Sequence, residues 1–111
     1  KKRHVLDPEA KKEAMQKNDD ELVDVLCELL QAADMFVMPS LKDLCTSNIV
    51  LRTTAANVAR ILLCADLYNA GELKSACLRF VAKHHQEVHA HGGLHMLSKD
   101  LLVEAMLSMG S

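Results

Sequence analysis

The chain has 111 residues, half of them hydrophobic and a quarter charged, with a formal net charge of −2 when histidine is neutral. This length fits one domain or part of one, and Lys and Arg are spread along the chain without the basic patch that nucleic-acid binding needs. No apolar run approaches the roughly 20 residues of a membrane-spanning helix, and the charged start is unlike a secretory signal. We therefore expect a soluble protein of the cytoplasm or nucleus, with no nucleic-acid or membrane partner.

The first predicted helix covers about residues 8 to 17. Asp7, Pro8 and Glu9 supply a capping side chain, a proline at the first helical position and an early carboxylate, which is the usual order at a helix N-terminus. The helix has few apolar residues, so its stability depends on a neighbour. Asn18-Asp19-Asp20 follows it and is predicted to cap a second helix.

The second helix carries the strongest apolar pattern in the chain. Its apolar residues recur at spacings of three and four and form one wide face: Leu22, Val25, Leu26, Leu29, Leu30 and Ala33, broadened by Val23 and Cys27. Pro39 then begins a shorter helix, which should end at Thr46-Ser47-Asn48 because these side chains compete for backbone hydrogen bonds. The two helices predict an antiparallel hairpin.

A second hairpin follows with the same design. Thr53 or Thr54 is predicted to cap a fourth helix, whose apolar residues lie between Val58 and Ala65. Asn69-Ala70-Gly71 should end that helix, and a fifth helix is predicted over residues 73 to 81.

The last predicted helix follows a second glycine-containing break. Gly92-Gly93 interrupts the chain, and Ser98 is the expected cap of a helix that continues through Met106. No segment alternates apolar and polar residues with period two, so no strand is predicted. The expected fold is all-α: five to six helices in stacked antiparallel hairpins, with no sheet.

The two hairpins are copies of one pattern, 32 residues apart. The first copy is Ala33-Asp34-Met35-Phe36 with Leu41, Lys42 and Cys45, and the second is Ala65-Asp66-Leu67-Tyr68 with Leu73, Lys74 and Cys77. A period of this length is typical of supersecondary units that stack because one unit cannot bury its apolar face alone. The repeat indicates a scaffold and not a catalyst.

Two charged pairs occupy matching positions in the copies. We expect Asp34 and Asp66 to brace the turn between the two helices of their own hairpin. We expect Lys42 and Lys74 to be solvated charges whose stems cover apolar surface.

The four cysteines lie in apolar helical registers, and the sequence has no CxxC motif: Cys27, Cys45, Cys64 and Cys77. We predict buried structural thiols, and neither a disulfide framework nor a zinc site.

The histidines crowd into a short segment: His84, His85, His89, His91 and His95. His85 and His89 can share a helix face, but the Glu between them is one place too late for the HExxH zinc motif. Cationic side chains near a helix C-terminus explain the cluster, and adventitious zinc or nickel binding is the alternative. No catalytic triad order, phosphate loop or nucleophile elbow is present, so we expect no enzyme activity, no resident metal and no cofactor.

Three segments resemble parts of one protein family. Residues 29 to 45, LLQAADMFVMPSLKDLC, resemble the closing helical hairpin of a BTB/POZ domain. Residues 54 to 70, with Leu73, Lys74 and Cys77, resemble the helix pair that opens the BACK region, and residues 97 to 102 are similar to a later BACK helix start. The expected division is an unmatched N-terminal segment with a short helix (1–18), a BTB-like hairpin (19–50) and BACK-like helices (51–111). The strands and helices that open a BTB domain have no match before Asp20.

The resemblance implies a non-enzymatic adaptor of cullin-RING ubiquitin ligases, which binds a cullin scaffold protein and presents substrates for ubiquitin transfer. Phe36 occupies the position where this family often has an aromatic residue facing the cullin. Met35, Met38 and Pro39 would complete an apolar lip, and such side chains dominate interface energetics. The resemblance thus implies partner binding by these four residues.

Three further hypotheses stay open. Apolar surface on the helix from Leu22 to Ala33 predicts a homodimer. A helical-repeat scaffold or oligomerisation module without a ubiquitin-ligase role is the alternative to the adaptor. A metal-dependent activity of the histidine cluster is the third.

Overall fold

The computed structural model describes the backbone of residues 8 to 109 and the side chains of residues 18 to 108. Over this part of the chain it has six α-helices and one 3-10 turn: α1 (Pro8–Met35), α2 (Pro39–Val50), α3 (Val58–Leu67), α4 (Gly71–Lys83), α5 (His85–Ala90), the 3-10 turn (Gly93–Met96) and α6 (Lys99–Met109). None of these residues forms a strand, so the all-α prediction is confirmed. None of the described helices is both long and apolar enough to cross a membrane.

Helix α1 is one continuous helix of 28 residues, and the predicted break at Asn18-Asp19-Asp20 is wrong. Asn18 and Asp19 are exposed, so the helix carries no free-energy cost of burying their polar side chains. Asn and Asp then cost the helix at most about 0.7 kcal/mol each in propensity. Packing of the apolar face that follows outweighs this cost. Pro8, the predicted first residue of the helix, is helical and is the first residue that the structure describes. The cap predicted for Asp7 lies outside the described residues.

Helix α2 continues through the residues predicted to end it. Thr46 is buried and Asn48 donates a hydrogen bond from Nδ2 to the Leu44 carbonyl, at 2.9 Å. The Asn48 side chain therefore bonds back along its own helix, an arrangement that α-helices tolerate. The helix ends at Val50.

Asn57, and not Thr53 or Thr54, organises the start of α3. Its side chain is buried; Oδ1 accepts a hydrogen bond from the Thr54 N–H at 2.7 Å, and Nδ2 donates to the Arg52 carbonyl at 3.0 Å. Thr53 donates to the Ile49 carbonyl at the end of α2. The predicted threonine cap is wrong, because the Asn57 amide and not a threonine hydroxyl hydrogen-bonds the backbone of the loop between the hairpins.

The C-terminal breaks lie close to where the sequence puts them. Gly92 has a φ of 70°, and a Cβ on Gly93 would lie 3.1 Å from the Ala59 Cβ, so the glycine pair permits a left-handed turn and a close approach to α3. Ser98 Oγ accepts a hydrogen bond from the Leu101 N–H at 3.3 Å, which confirms Ser98 as a cap. Helix α5 and the 3-10 turn were not predicted as separate elements.

The two hairpins share one core. Helix α1 packs on α2, α3 on α4, α2 on α4, and α4 on α6. One cluster of buried side chains joins residues of both hairpins, including Leu30 and Ile49 from the first and Ile61, Leu62 and Leu73 from the second. The predicted stacking of hairpins through shared apolar contact is confirmed.

Candidate interaction surface

The turn between α1 and α2 has a left-handed residue at its centre. Val37 has a φ of 53°, and the Met38 N–H donates to the Ala33 carbonyl at 2.8 Å. This six-residue closure is the usual way in which a helix ends on a left-handed residue. A β-branched residue is an outlier in that conformation, so Val37 is under backbone strain.

The second hairpin repeats this turn with a better-suited residue. Asn69, 32 positions after Val37, has a φ of 58°, and the Ala70 N–H donates to the Ala65 carbonyl at 2.9 Å. Asn is tolerated in the left-handed region. The sequence repeat therefore extends to backbone conformation, and comparing the two copies position by position is the signal that could have identified Val37.

The first turn carries a run of exposed apolar side chains, which we call the apolar lip: Met35, Phe36, Val37, Met38 and Pro39. Phe36 is 68% exposed and Val37 is 83% exposed. The structure thus brings the four predicted site residues together on one turn and adds Val37 to them. In the second hairpin, by contrast, Tyr68 is half-buried and Ala70 is buried. The apolar lip is a property of the first hairpin only.

An ion pair borders the apolar lip. Lys42 Nζ lies 2.9 Å from Asp34 Oδ1, and both residues line a shallow depression of about 130 Å³ together with Val37, Met38 and Pro39. The surface is therefore an apolar centre with a charged rim, the usual anatomy of protein–protein interfaces.

The two repeated lysines connect neighbouring units. Lys42 also donates to the Asn69 carbonyl at 3.2 Å, in the turn of the second hairpin. Lys74 lies 2.9 Å from Asp66 Oδ1 and 3.3 Å from Glu104 Oε1 of α6. The hydrogen bonds that Lys74 donates, first to Asp66 and then to Glu104, raise the pKa of its ammonium group. The prediction that the aspartates brace their own hairpins is confirmed. Both lysines keep part of their side chain in water, as predicted, and each also has a carboxylate partner that was not predicted.

Part of the apolar face predicted for α1 is exposed. Val23, Leu30 and Ala33 are buried, whereas the side chains that we call the α1 stripe are between 39% and 51% exposed: Leu22, Val25 and Leu29. The buried residues face the rest of the fold, and Asp24 on the α3 side of α1 pairs with Arg60. The single wide face is therefore split into a core half and an open half.

The cysteines also divide into two kinds. Cys45 and Cys77, at matching positions of the repeat, are buried, and burial raises the pKa of Cys77 to about 12. Cys27 and Cys64 are half-buried and hydrogen-bonded to each other. The prediction of buried structural thiols is confirmed for the first pair and wrong for the second, because α1 and α3 leave an open groove where the second pair lies.

Two of the histidines have contacts within their own segment. The His84 ring lies 4.5 Å from the Phe80 ring, and its Nδ1 is 3.5 Å from Glu87 Oε1. His85 Nδ1 lies 3.4 Å from the Ala82 carbonyl oxygen. Over the described residues, no group of three or more His, Cys, Asp or Glu side chains is arranged to hold a metal ion.

Comparison with known proteins relates the chain to BTB/POZ-domain proteins. It is 34% identical over 90 residues to the mouse inhibitor of Bruton tyrosine kinase, covering 81% of this chain and 7% of that protein. It is 42% identical over 65 residues to BTB/POZ and MATH domain-containing protein 6 of Arabidopsis thaliana, covering 59% and 15%. It is 33% identical over 67 residues to mouse TD and POZ domain-containing protein 2, covering 60% and 18%. No protein-family model matches the sequence.

These similarities support a BTB/POZ-like segment and a protein–protein interaction domain. The chain spans less than a fifth of the length of each of the three relatives.

Proposed function

We propose that this chain, a relative of BTB/POZ-domain proteins, is an interaction module of a cullin-RING ubiquitin ligase adaptor, and that it binds a cullin through the apolar lip. The observation that carries the proposal is the exposure of Met35, Phe36, Met38 and Pro39 together on one closed turn. Exposed aromatic and methionine side chains are unfavourable in water and are enriched at the centres of protein interfaces.

The strained turn supports the same proposal. Holding Val37 in a left-handed conformation costs on the order of 1 to 3 kcal/mol, and such strain concentrates at ligand-binding sites. The closure through the Met38 N–H fixes the backbone on both sides of Val37. The turn is therefore pre-organised, and less conformational entropy is lost when a partner binds it.

In this proposal the chain has the division expected from the sequence. Residues 19–50 act as the closing hairpin of a BTB-like domain, residues 51–111 act as BACK-like helices, and residues 1–18 form a segment without a counterpart. The second unit supports the first through Lys42, which reaches the turn of the second hairpin. The module has no catalytic role of its own and works in the cytoplasm or nucleus, where thiols stay reduced.

Co-elution tests this proposal. The purified chain is mixed with the N-terminal region of a cullin and separated by size-exclusion chromatography. We expect a complex with the unaltered chain and with Leu67→Ala, but not with Phe36→Ala. Leu67 is the matched control because it is 68% exposed, as Phe36 is, and lies at the end of α3. A cullin that elutes separately from the unaltered chain would contradict the proposal.

A second candidate function is self-association without a ligase role. The α1 stripe favours it, because three large apolar side chains lie open to solvent along one helix. This surface is separate from the turn that carries Phe36, so the two functions have separate tests.

A further inference from the structure

Cys27 and Cys64 approach each other across the boundary between the two hairpins. Cys27 lies on α1 and Cys64 on α3, and their side chains hydrogen-bond to each other. Both line a groove of about 250 Å³, together with Glu28, Gln31 and Tyr68. Both residues are half-buried and border this groove, so neither is sealed in the core.

The surroundings of the pair shift the pKa values of the two thiols in opposite directions. The hydrogen bond from Cys64 and the nearby Arg60 guanidinium lower the pKa of Cys27, against the opposing effects of burial and Asp24. The same hydrogen bond, together with burial, raises the pKa of Cys64. Arg60 is held near the pair by its ion pair with Asp24. Cys27 is therefore the better nucleophile, because the thiolate is the reactive form.

The other two cysteines lack this environment. Cys45 and Cys77 are each 1% exposed, and burial raises the pKa of both thiols. A buried thiol with a raised pKa is inert. Reactivity is thus confined to one pair of the four cysteines.

We propose that Cys27 and Cys64 are a reversible redox pair, which forms a disulfide between the two hairpins when the chain meets a peroxide. The Cys27 thiolate attacks one peroxide oxygen, the O–O bond breaks, and Cys27 becomes a sulfenic acid while the other oxygen leaves and takes up a proton. Cys64 gives up its proton, and its sulfur attacks the Cys27 sulfur and displaces hydroxide, which leaves with that proton as water. Two thiols are oxidised, and one hydrogen peroxide is reduced to two waters.

The bond would change how the hairpins are joined. In the reduced chain they are held by packing and hydrogen bonds, whereas the disulfide would tie α1 to α3 covalently. The two sulfurs must move together to reach the disulfide bond length of about 2.05 Å. The oxidised chain should therefore differ from the reduced chain in the groove itself.

Mass spectrometry of the peroxide-treated chain tests the proposal. We expect a loss of two hydrogens from the intact mass, a Cys27–Cys64 link in the peptide map, and recovery of the original mass with dithiothreitol. The thermal midpoint should rise by more than about 10 °C on oxidation, because the link closes a long loop in the unfolded chain. Reduced Cys27 and Cys64 after treatment that fully oxidises glutathione would overturn the proposal.

Two variants separate the two steps. In Cys64→Ser the reaction should stop at Cys27 sulfenic acid, which dimedone traps, and in Cys27→Ser the remaining Cys64 should react far more slowly. Faster modification of Cys64 than of Cys27, or a link that involves Cys45 or Cys77, would contradict the assignment. If either variant fails to fold, the peptide map of the unaltered chain still decides the pairing.

Discussion

Lys74 Nζ lies 2.9 Å from Asp66 Oδ1, and the same ion pair joins the equivalent residues of the first hairpin at the same distance. Each lysine also reaches the next unit along the chain: Lys42 contacts the Asn69 carbonyl, and Lys74 contacts Glu104 of α6. The repeat therefore preserves a connection between units as well as an apolar pattern.

Removing the charge of Lys74 should loosen α6. We expect Lys74→Met, which keeps most of the apolar stem, to lower the free energy of unfolding by about 0.2 to 1 kcal/mol, the range for exposed ion pairs. Urea unfolding in low salt measures this, and the effect should shrink in high salt. Arg79→Met is the control, because Arg79 is exposed on the same helix. Equal effects of the two substitutions would refute the connecting role of Lys74.

Relieving the strain at Val37 should stabilise the fold. Val37→Asn places at this left-handed position the residue that the second hairpin uses, and we expect the free energy of unfolding to rise by about 1 kcal/mol. The reverse substitution, Asn69→Val, should lower it by a similar amount. Chemical denaturation of both variants provides the measurement. A destabilising Val37→Asn would show that the Val37 side chain contributes more than its backbone costs.

Alkaline pH should destabilise the chain through its buried thiols. Burial raises the pKa of Cys77 from 9.0 to about 12, so between these values the unfolded chain releases a proton that the folded chain keeps. Below pH 9 this thiol does not reduce the free energy of unfolding. As the pH rises above 9, it lowers the free energy of unfolding by at most about 1.4 kcal/mol per pH unit. Urea unfolding at pH 7, 9 and 10 tests this. The slope should be smaller in Cys77→Ala, and parallel pH profiles would rule out the thiol as the cause.

The α1 stripe should mediate self-association. We expect a dimer mass by light scattering at tens of micromolar, and a monomer mass for Val25→Lys, because a charge at a packed apolar interface is costly. Val103→Lys on α6 is the matched control: Val25 is 51% exposed and Val103 is 47% exposed. A monomer mass for the unaltered chain at this concentration would reject the homodimer.

The sequence predicted the elements of the fold better than their ends. Period and capping residues located both hairpins and the Ser98 cap, because apolar spacing is a local property of the chain. The ends at Asn18-Asp19-Asp20 and Thr46-Ser47-Asn48 were wrong, because tertiary packing outweighs the weak helix-breaking preference of single polar side chains.

The candidate site was predicted in part. Family resemblance suggested Phe36 and its neighbours, which the structure places on one exposed turn; that they bind a partner stays a prediction. The left-handed Val37, the reach of Lys42 to Asn69, and the Cys27–Cys64 contact were not predicted. Each depends on how the chain is arranged in space, and no local pattern of residue types records that arrangement.

Binding affinity for a cullin N-terminal region, measured by calorimetric titration of the unaltered chain, Phe36→Ala and Leu67→Ala, tests the central claim most directly. We expect Phe36→Ala to weaken binding at least about tenfold, as truncating an interface anchor does, with its free energy of unfolding changed by less than about 0.5 kcal/mol because Phe36 is 68% exposed. Leu67→Ala should bind as the unaltered chain does. Equal affinities for all three proteins, or no binding by any of them, would contradict the assignment of the apolar lip as a cullin-binding surface.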